Sequence, residues 1–300
     1  MNRRGFSLIE LLVACAILSL LIILLAQMLG SVSNIWMDGS SRSQRRQTTR
    51  AVLNFISREL QEASLPADRQ VVAGRGDLQL VINPATVPDK FKHPHAIFWA
   101  APIATDDSEG DQAEIGYFIR WTGGRAALCR LFLNPAESRT LLGGTNTLQR
   151  IYQHPGNWVN GDVLDAACPA DEATGYRGLF ADNVIAFWAR PLNAAGTPIF
   201  NQGSDGFDSN IASGGNAAPA LPAGMEISFI VLDSNIANRL ADNPEAASLV
   251  AEIQALARTS GQPATGIVPS AAFMDAISQR ADLRFLLPGA TPCQILVDLK

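Results

Sequence analysis

The chain has 300 residues, of which 47% are hydrophobic and 17% are charged, and its formal net charge is −5. This composition excludes an intrinsically disordered protein, because such chains are poor in apolar residues and rich in charge. The acidic balance argues against a nucleic-acid partner, since binding a phosphate backbone over a broad surface requires a basic face.

A long apolar segment lies at the N-terminus. Residues 8–29 contain a single charged residue, Glu10, and at about 1.5 Å of rise per residue their helix would cross a hydrocarbon core of about 30 Å. A secretory signal peptide would have a shorter apolar region and a small-residue cleavage site, so we predict a retained single-pass anchor. Arg3 and Arg4 precede the segment and the next basic residue is Arg42, which predicts that the N-terminus is cytoplasmic and that the rest of the chain lies outside.

Glu10 is an unusual residue in such a segment, because a carboxylate inside an apolar helix costs about 3 kcal/mol on insertion. Cleavage after Gly5 would place the new α-amino group of Phe6 about one helical turn from Glu10. The two charges could then pair between neighbouring subunits. The leader carries two arginines and no acidic residue, so its removal would change the formal charge from −5 to −7.

Residues 3–12, with the sequence RRGFSLIELL, resemble the leader of type IV prepilins. The shared features are the basic residues, a glycine at the cleavage point, a phenylalanine as the first mature residue, a glutamate four positions later and a following apolar helix. This resemblance implies that a prepilin peptidase cleaves after Gly5 and methylates the amino group of Phe6. It also implies that Glu10 sets the registration of subunits, and that the partners are other pilin-like subunits and an inner-membrane assembly platform.

The helical pattern continues beyond the apolar segment. No proline occurs between Ser31 and Ala63, and apolar residues recur there every three or four positions until Pro66. One helix from residue 6 to about residue 63 would be about 85 Å long. The predicted organisation is a leader at 1–5, a transmembrane and assembly helix at 6–30, an amphipathic outer half at 31–65 and a β-rich globular head at 66–300.

The head has mainly strand-like patterns. The segments with short apolar or alternating runs are 77–82, 95–99, 114–121, 127–133, 183–189 and 225–232. The turn residues Gly123, Gly124 and Arg125 predict a hairpin and therefore antiparallel strands. Asn243 and Pro244 predict the start of a helix through Leu256, and a second helix is predicted from Ala271 to Arg280. Residues 134–178 and 201–224 are predicted to be irregular.

Several of these segments resemble the J-type minor pseudopilins, and most closely the Verru_Chthon cassette protein C family. They are the strands at 114–121, 128–133 and 183–188, the sequence LNPAES at 133–138 and the sequence LPAGMEIS at 221–228. The resemblance implies an α+β, pilin-like fold, in which a long N-terminal helix packs on an antiparallel sheet with long loops and one or two C-terminal helices. It also implies a place in the tip complex of a filament.

Four cysteines are present, and Cys15 is most simply a small apolar residue of the N-terminal helix. Cys129, Cys168 and Cys293 lie in the exported head, where an oxidising compartment permits one disulfide. The spacing does not determine the pairing. Cys129 with Cys168 is slightly favoured, because Cys168 lies in a long segment that a disulfide would tether.

Candidate metal ligands are sparse. His93, His95 and His154 are read as loop residues, because nothing in the sequence brings all three together. Asp205 and Asp208 lie in an oxygen-rich segment that calcium could use, but the spacing of a known calcium loop is absent and an ordinary surface loop is favoured.

The sequence contains no nucleophile elbow, no zinc-protease motif and no phosphate-binding loop. We therefore expect a protein that is not an enzyme and has no cofactor, calcium excepted. The favoured function is that of a minor pseudopilin, processed by a prepilin peptidase and assembled into a type II secretion or type IV pilus-like filament. The alternative is an adhesion or ligand-binding module displayed on a pilin anchor, with residues 201–224 as its contact loop.

Overall fold

A computed structural model of the chain describes residues 12, 17–23, 25, 27–28, 47, 49–65, 80–106, 108, 110–135, 159–167, 178–209, 221–261 and 267–299. The chain divides into two compact units, Met1–Ala51 and Val52–Lys300. In the first unit residues 17–23 are helical. Among the described residues, no single helix combines the length and the apolar character needed to cross a membrane.

The second unit begins with a helix, α1, which comprises residues 52–61 within this unit. Val52, Leu53, Ile56 and Leu60 are buried, as expected for the apolar stripe of a helix packed on one side. Phe55, which the spacing also placed among the apolar positions, is 40% exposed. The helix ends at residue 61, and the predicted terminator Pro66 lies outside the described residues.

Within the described residues, nine strands form two antiparallel sheets. The strands are β1 (Val81–Ile82), β2 (Ile97–Ala101), β3 (Ala113–Thr122), β4 (Arg125–Leu133), β5 (Gly178–Asp182), β6 (Val184–Leu192), β7 (Phe207–Asp208), β8 (Gly224–Leu232) and β9 (Ala290–Asp298). The large sheet has the order β5-β4-β3-β2-β1-β7 and the small sheet the order β6-β8-β9.

The remaining helices among the described residues are α2 (Gly161–Ala167), α3 (Ser234–Ala241), α4 (Ala246–Gly261) and α5 (Pro269–Gln279), with 3₁₀ turns at Asp89–Phe91 and Arg284–Gly289. The two helices predicted after Asn243 and near Ala271 are confirmed as α4 and α5. Asn243 Oδ1 accepts a hydrogen bond from the backbone N–H of Glu245 at 2.8 Å, which supports the turn that leads into α4.

The predicted hairpin is confirmed with a shorter turn. Gly123 and Gly124 have φ values of 54° and 80°, as the two central residues of a type I′ turn require. Arg125, predicted as part of the turn, is already the first residue of β4 and pairs with Thr122. The two glycines therefore fix the register of the longest strand pair in the large sheet.

Other predicted boundaries need correction. The strand predicted at 77–82 is described only as Val81–Ile82, and residues 77–79 lie outside the description. The irregular segment 134–178 contains helix α2, and the irregular segment 201–224 contains β7 and the first residue of β8. Strands β5 and β9 and helix α3 were not predicted.

Both faces of the large sheet are covered, because successive side chains of its central strands point alternately into two hydrophobic cores. Trp99 and Tyr117 point to the core that also contains the stripe of α1 and residues of the small sheet. Phe98 and Phe118 point to the opposite core, which α2 closes with Val163 and other apolar residues. A sheet buried on both faces explains why the sequence of β2, IFWAA, is almost entirely apolar.

Candidate functional site

The residues predicted for processing and assembly are Gly5, Phe6 and Glu10, and all three lie outside the described residues. Leader cleavage, methylation and subunit registration therefore stay predictions. Cys129 is fully buried on β4, whereas Cys168 lies outside the described residues, so their disulfide also stays a prediction.

Asp205 and Asp208, the weak calcium candidates, lie in different surroundings. Asp208 is buried in β7, where it is the register partner of Val81. Asp205 lies on an exposed turn, and its Oδ2 accepts a hydrogen bond from Asn83 Nδ2 at 3.4 Å. Within the part of the chain that the structure describes, no three His, Cys, Asp or Glu side chains form a group able to hold a metal ion.

The structure shows a buried polar site that the sequence did not reveal, at the contact between α1 and the large sheet. Glu59 projects from α1 and is 7% exposed. Arg130 Nε donates to Glu59 Oε2 at 3.1 Å, Arg130 Nη2 donates to Glu59 Oε1, and the Tyr117 hydroxyl donates to Glu59 Oε2. We call Glu59, Tyr117 and Arg130 the helix clamp.

Strand pairing brings the clamp residues of the sheet together. Tyr117 on β3 and Arg130 on β4 are direct register partners, so their side chains lie on the same face and can reach one carboxylate. On the next strand, Trp99 Nε1 donates to the backbone carbonyl oxygen of Glu59 at 3.2 Å. Three adjacent strands therefore hold one residue of α1.

Aromatic rings surround the guanidinium of Arg130. Its central carbon lies 4.4 Å from the ring centroid of Phe132 and 5.2 Å from that of Phe55. Phe180 packs 5.2 Å from Phe55 and 5.5 Å from Tyr117, measured between ring centroids. These rings keep water away from the ion pair and add cation–π attraction, so loss of either charged partner would leave the other buried and uncompensated.

Tyr117 stays protonated in this environment. Burial raises the pKa of the Tyr117 hydroxyl well above its usual value, and the neighbouring charge of Glu59 raises it further. The hydroxyl therefore remains a hydrogen-bond donor to Glu59 throughout the physiological pH range. The role of the clamp is to position α1, because it fixes the rotation of the helix about its axis and its position along the sheet.

A second buried polar site connects the two sheets. The backbone of residues 93–95 forms two hydrogen bonds with Phe187 on β6. The N–H of His95 donates to the carbonyl oxygen of Phe187 at 3.2 Å, and the N–H of Phe187 donates to the carbonyl oxygen of His93 at 2.9 Å. His95 Nδ1 accepts from the backbone N–H of Ala189 at 3.0 Å, and His93 Nε2 lies 2.8 Å from the carbonyl oxygen of Lys90. His93 and His95 lie outside helices and strands, as predicted for loop residues, but their imidazole rings are buried.

Both histidines are neutral at neutral pH. Burial lowers the pKa of His93 to about 4 and that of His95 to about 4, against the ordinary value of 6.5. His154, the third predicted histidine, lies outside the described residues.

The small sheet also contains a buried ion pair. Arg190 Nη2 on β6 donates to both carboxylate oxygens of Glu226 on β8, at 2.9 and 2.7 Å.

One family match covers the N-terminus. The family described as the prokaryotic N-terminal methylation motif matches residues 1–26. The chain thus carries a type IV pilin-like prepilin signal, the kind of segment that a prepilin peptidase processes. No curated protein and no solved structure matches the chain.

Proposed function

We propose that the protein is a minor pseudopilin, cleaved after Gly5 by a prepilin peptidase, methylated on Phe6 and anchored in the inner membrane with its head in the periplasm. It then enters a type II secretion or type IV pilus-like filament, at the tip of that filament. The methylation-motif match at residues 1–26 is the observation that carries this proposal.

The second unit supports the proposal through its architecture. It combines antiparallel sheets with several helices, in agreement with a pilin-like α+β head. Its first element, α1, is held by an apolar stripe and by the helix clamp. A buried ion pair between α1 and the large sheet resists rotation of this helix on the sheet.

The finer assignment to the J-type subunits and to the Verru_Chthon cassette protein C family rests on the sequence resemblance. Four segments that carry this resemblance lie on β3, β4, β6 and β8. The partners in this proposal are other pilin-like subunits and an inner-membrane assembly platform. The proposal includes no catalytic activity, and it requires neither the disulfide of Cys129 nor calcium at Asp205 and Asp208.

The direct experiment is purification of the full-length protein from membranes of its native host after chemical cross-linking, with identification of the captured proteins by mass spectrometry. A filament subunit should capture small membrane proteins that carry prepilin leaders of their own. Capture of an extracellular ligand without any such protein would contradict the filament role and favour the display module.

A further inference from the structure

An open cavity of about 460 Å³ lies at one end of the large sheet, away from the helix clamp. It is lined by the residues on both sides of the β3–β4 turn, by the end of β5 and by the first turns of α3. Its polar lining includes Arg120, Arg125, Asp182, Asn183, Ser234 and Asn238.

Several hydrogen-bonding groups of this lining have no partner among the described residues. Arg120 Nη2 is paired with Asp165 Oδ1 at 3.1 Å. By contrast, no described residue forms an ion pair with Arg125 or a hydrogen bond with the side chains of Asn183 and Asn238. A guanidinium and two amides therefore line one cavity with their donors available to a ligand.

We propose that this cavity binds a monoanionic carboxylate, with the guanidinium of Arg125 as its principal partner. The planar fork of an arginine matches a carboxylate through two parallel hydrogen bonds. Asn183 and Asn238 supply further neutral donors. The small side chain of Ala127, which lies on the same face of the sheet as its register partner Arg120, leaves room for a short aliphatic substituent.

Asp182, the one carboxylate among the described lining residues, sets the charge preference. Asp182 repels anions, and this repulsion doubles for a phosphate dianion relative to a carboxylate. The described lining residues include no aromatic ring, and they therefore supply no stacking surface for a nucleobase or a sugar ring. These features favour a short carboxylate over a phosphate, a nucleotide or a glycan.

The carboxylate can come from a free small acid or from an acidic side chain or C-terminus of another polypeptide. The first arm of the test is isothermal titration calorimetry of the full-length protein in detergent, with N-acetylalanine, its neutral amide and inorganic phosphate as probes. If a free acid is the source, N-acetylalanine binds at least tenfold more tightly than the amide or phosphate.

Variants of the lining residues test whether N-acetylalanine binds in this cavity. Arg125→Gln should weaken N-acetylalanine binding at least tenfold, and because Arg125 is exposed the variant should fold normally. Arg239→Gln is the matched control, since Arg239 is an exposed arginine of α3 that is stacked on Phe285 and does not line the cavity. Asp182→Asn should reduce the preference for N-acetylalanine over phosphate.

The second arm places a photo-crosslinking amino acid at position 238 in the native host. If the source is a polypeptide, the cross-linked peptide contains an acidic residue or a C-terminus, and neutralising that group or introducing Arg125→Gln abolishes the cross-link. The proposal is overturned if neither arm detects a carboxylate ligand, or if the ligand that is detected binds equally well after its carboxylate is neutralised or in the Arg125→Gln variant.

Discussion

The carboxylate of Glu59 and the guanidinium of Arg130 form a buried ion pair that joins helix α1 to strand β4, 71 residues later in the chain. The Tyr117 hydroxyl completes the carboxylate's hydrogen bonds from β3. The pair lies beside the apolar stripe of α1, so hydrophobic contact supplies the attraction and the ion pair supplies the orientation.

Glu59→Gln should destabilise the protein by about 3–5 kcal/mol, because it leaves the buried charge of Arg130 without a counter-charge. The measurement is chemical denaturation of the full-length protein in detergent, followed by tryptophan fluorescence. Glu62→Gln, an exposed position at the end of the same helix, should change the unfolding free energy by less than about 0.5 kcal/mol.

The double variant Glu59→Leu with Arg130→Met distinguishes an ion pair from simple packing. Replacing both charges by apolar groups should recover much of the stability lost on changing Glu59 alone. Equal losses for Glu59→Gln and Glu62→Gln, or a loss in the double variant equal to the sum of the losses of Glu59→Leu and Arg130→Met alone, would show that the two clamp charges are not coupled.

The stability of the head should fall as the pH drops from about 6.5 to 4. His93 and His95 have a folded-state pKa of about 4 and an unfolded value near 6.5, so the unfolded chain binds more protons in this interval. Each histidine then contributes a loss on the order of 3 kcal/mol across the whole interval. Above pH 6.5 both are neutral in either state and add no pH dependence.

Thermal unfolding at a series of pH values checks this expectation. His95→Asn retains an acceptor for the backbone N–H of Ala189 and should flatten the decline between pH 6.5 and 4. The charged groups that act on these rings are Arg190 near His95, and Arg258 and Asp89 near His93. An unchanged slope in the variant would mean that other groups cause the acid sensitivity.

Gly116→Ala should lower the unfolding free energy by about 1–3 kcal/mol, because a Cβ at this position would overlap the ring of Phe98 on the paired strand. The cost should be smaller in a Phe98→Leu background, where the ring is absent. Denaturation of the four proteins of this cycle measures the coupling. An identical cost in both backgrounds would show that the ring does not require the glycine.

Glu10→Ala should leave membrane insertion intact but prevent recovery of partner subunits, since the alanine cannot pair with the amino group of a neighbouring subunit. Cys15→Ala is the matched control, because it alters the same helix without removing a charge. Membrane fractionation and quantitative co-purification measure the two effects. Normal recovery of partners with the Glu10 variant would argue against its registration role.

The sequence correctly predicted the elements that depend on residues close together in the chain. The stripe of α1 and the strands of the β3–β4 hairpin follow from apolar periodicity and from Gly123–Gly124. Strand β9 has a local pattern of the same kind, because Thr291, Cys293, Ile295 and Val297 alternate with more exposed residues.

The rest depends on contacts between distant segments. Strand β7 has two residues and exists only through its pairing with β1, more than 120 residues earlier, so no periodicity could reveal it. The helix clamp combines residues from α1, β3 and β4. Arg130, which stands among the apolar residues of β4, was its available signal, but the partner of Arg130 depended on how the helix packs on the sheet.

The most direct measurement is the intact mass and N-terminal sequence of the full-length gene product isolated from its native host. The filament-subunit proposal predicts a chain that begins at Phe6 and carries a methyl group on its amino terminus, and it predicts a retained leader when Gly5 is changed to leucine. A native protein that still contains Met1 to Gly5 would contradict the proposal and leave a membrane anchor without prepilin processing.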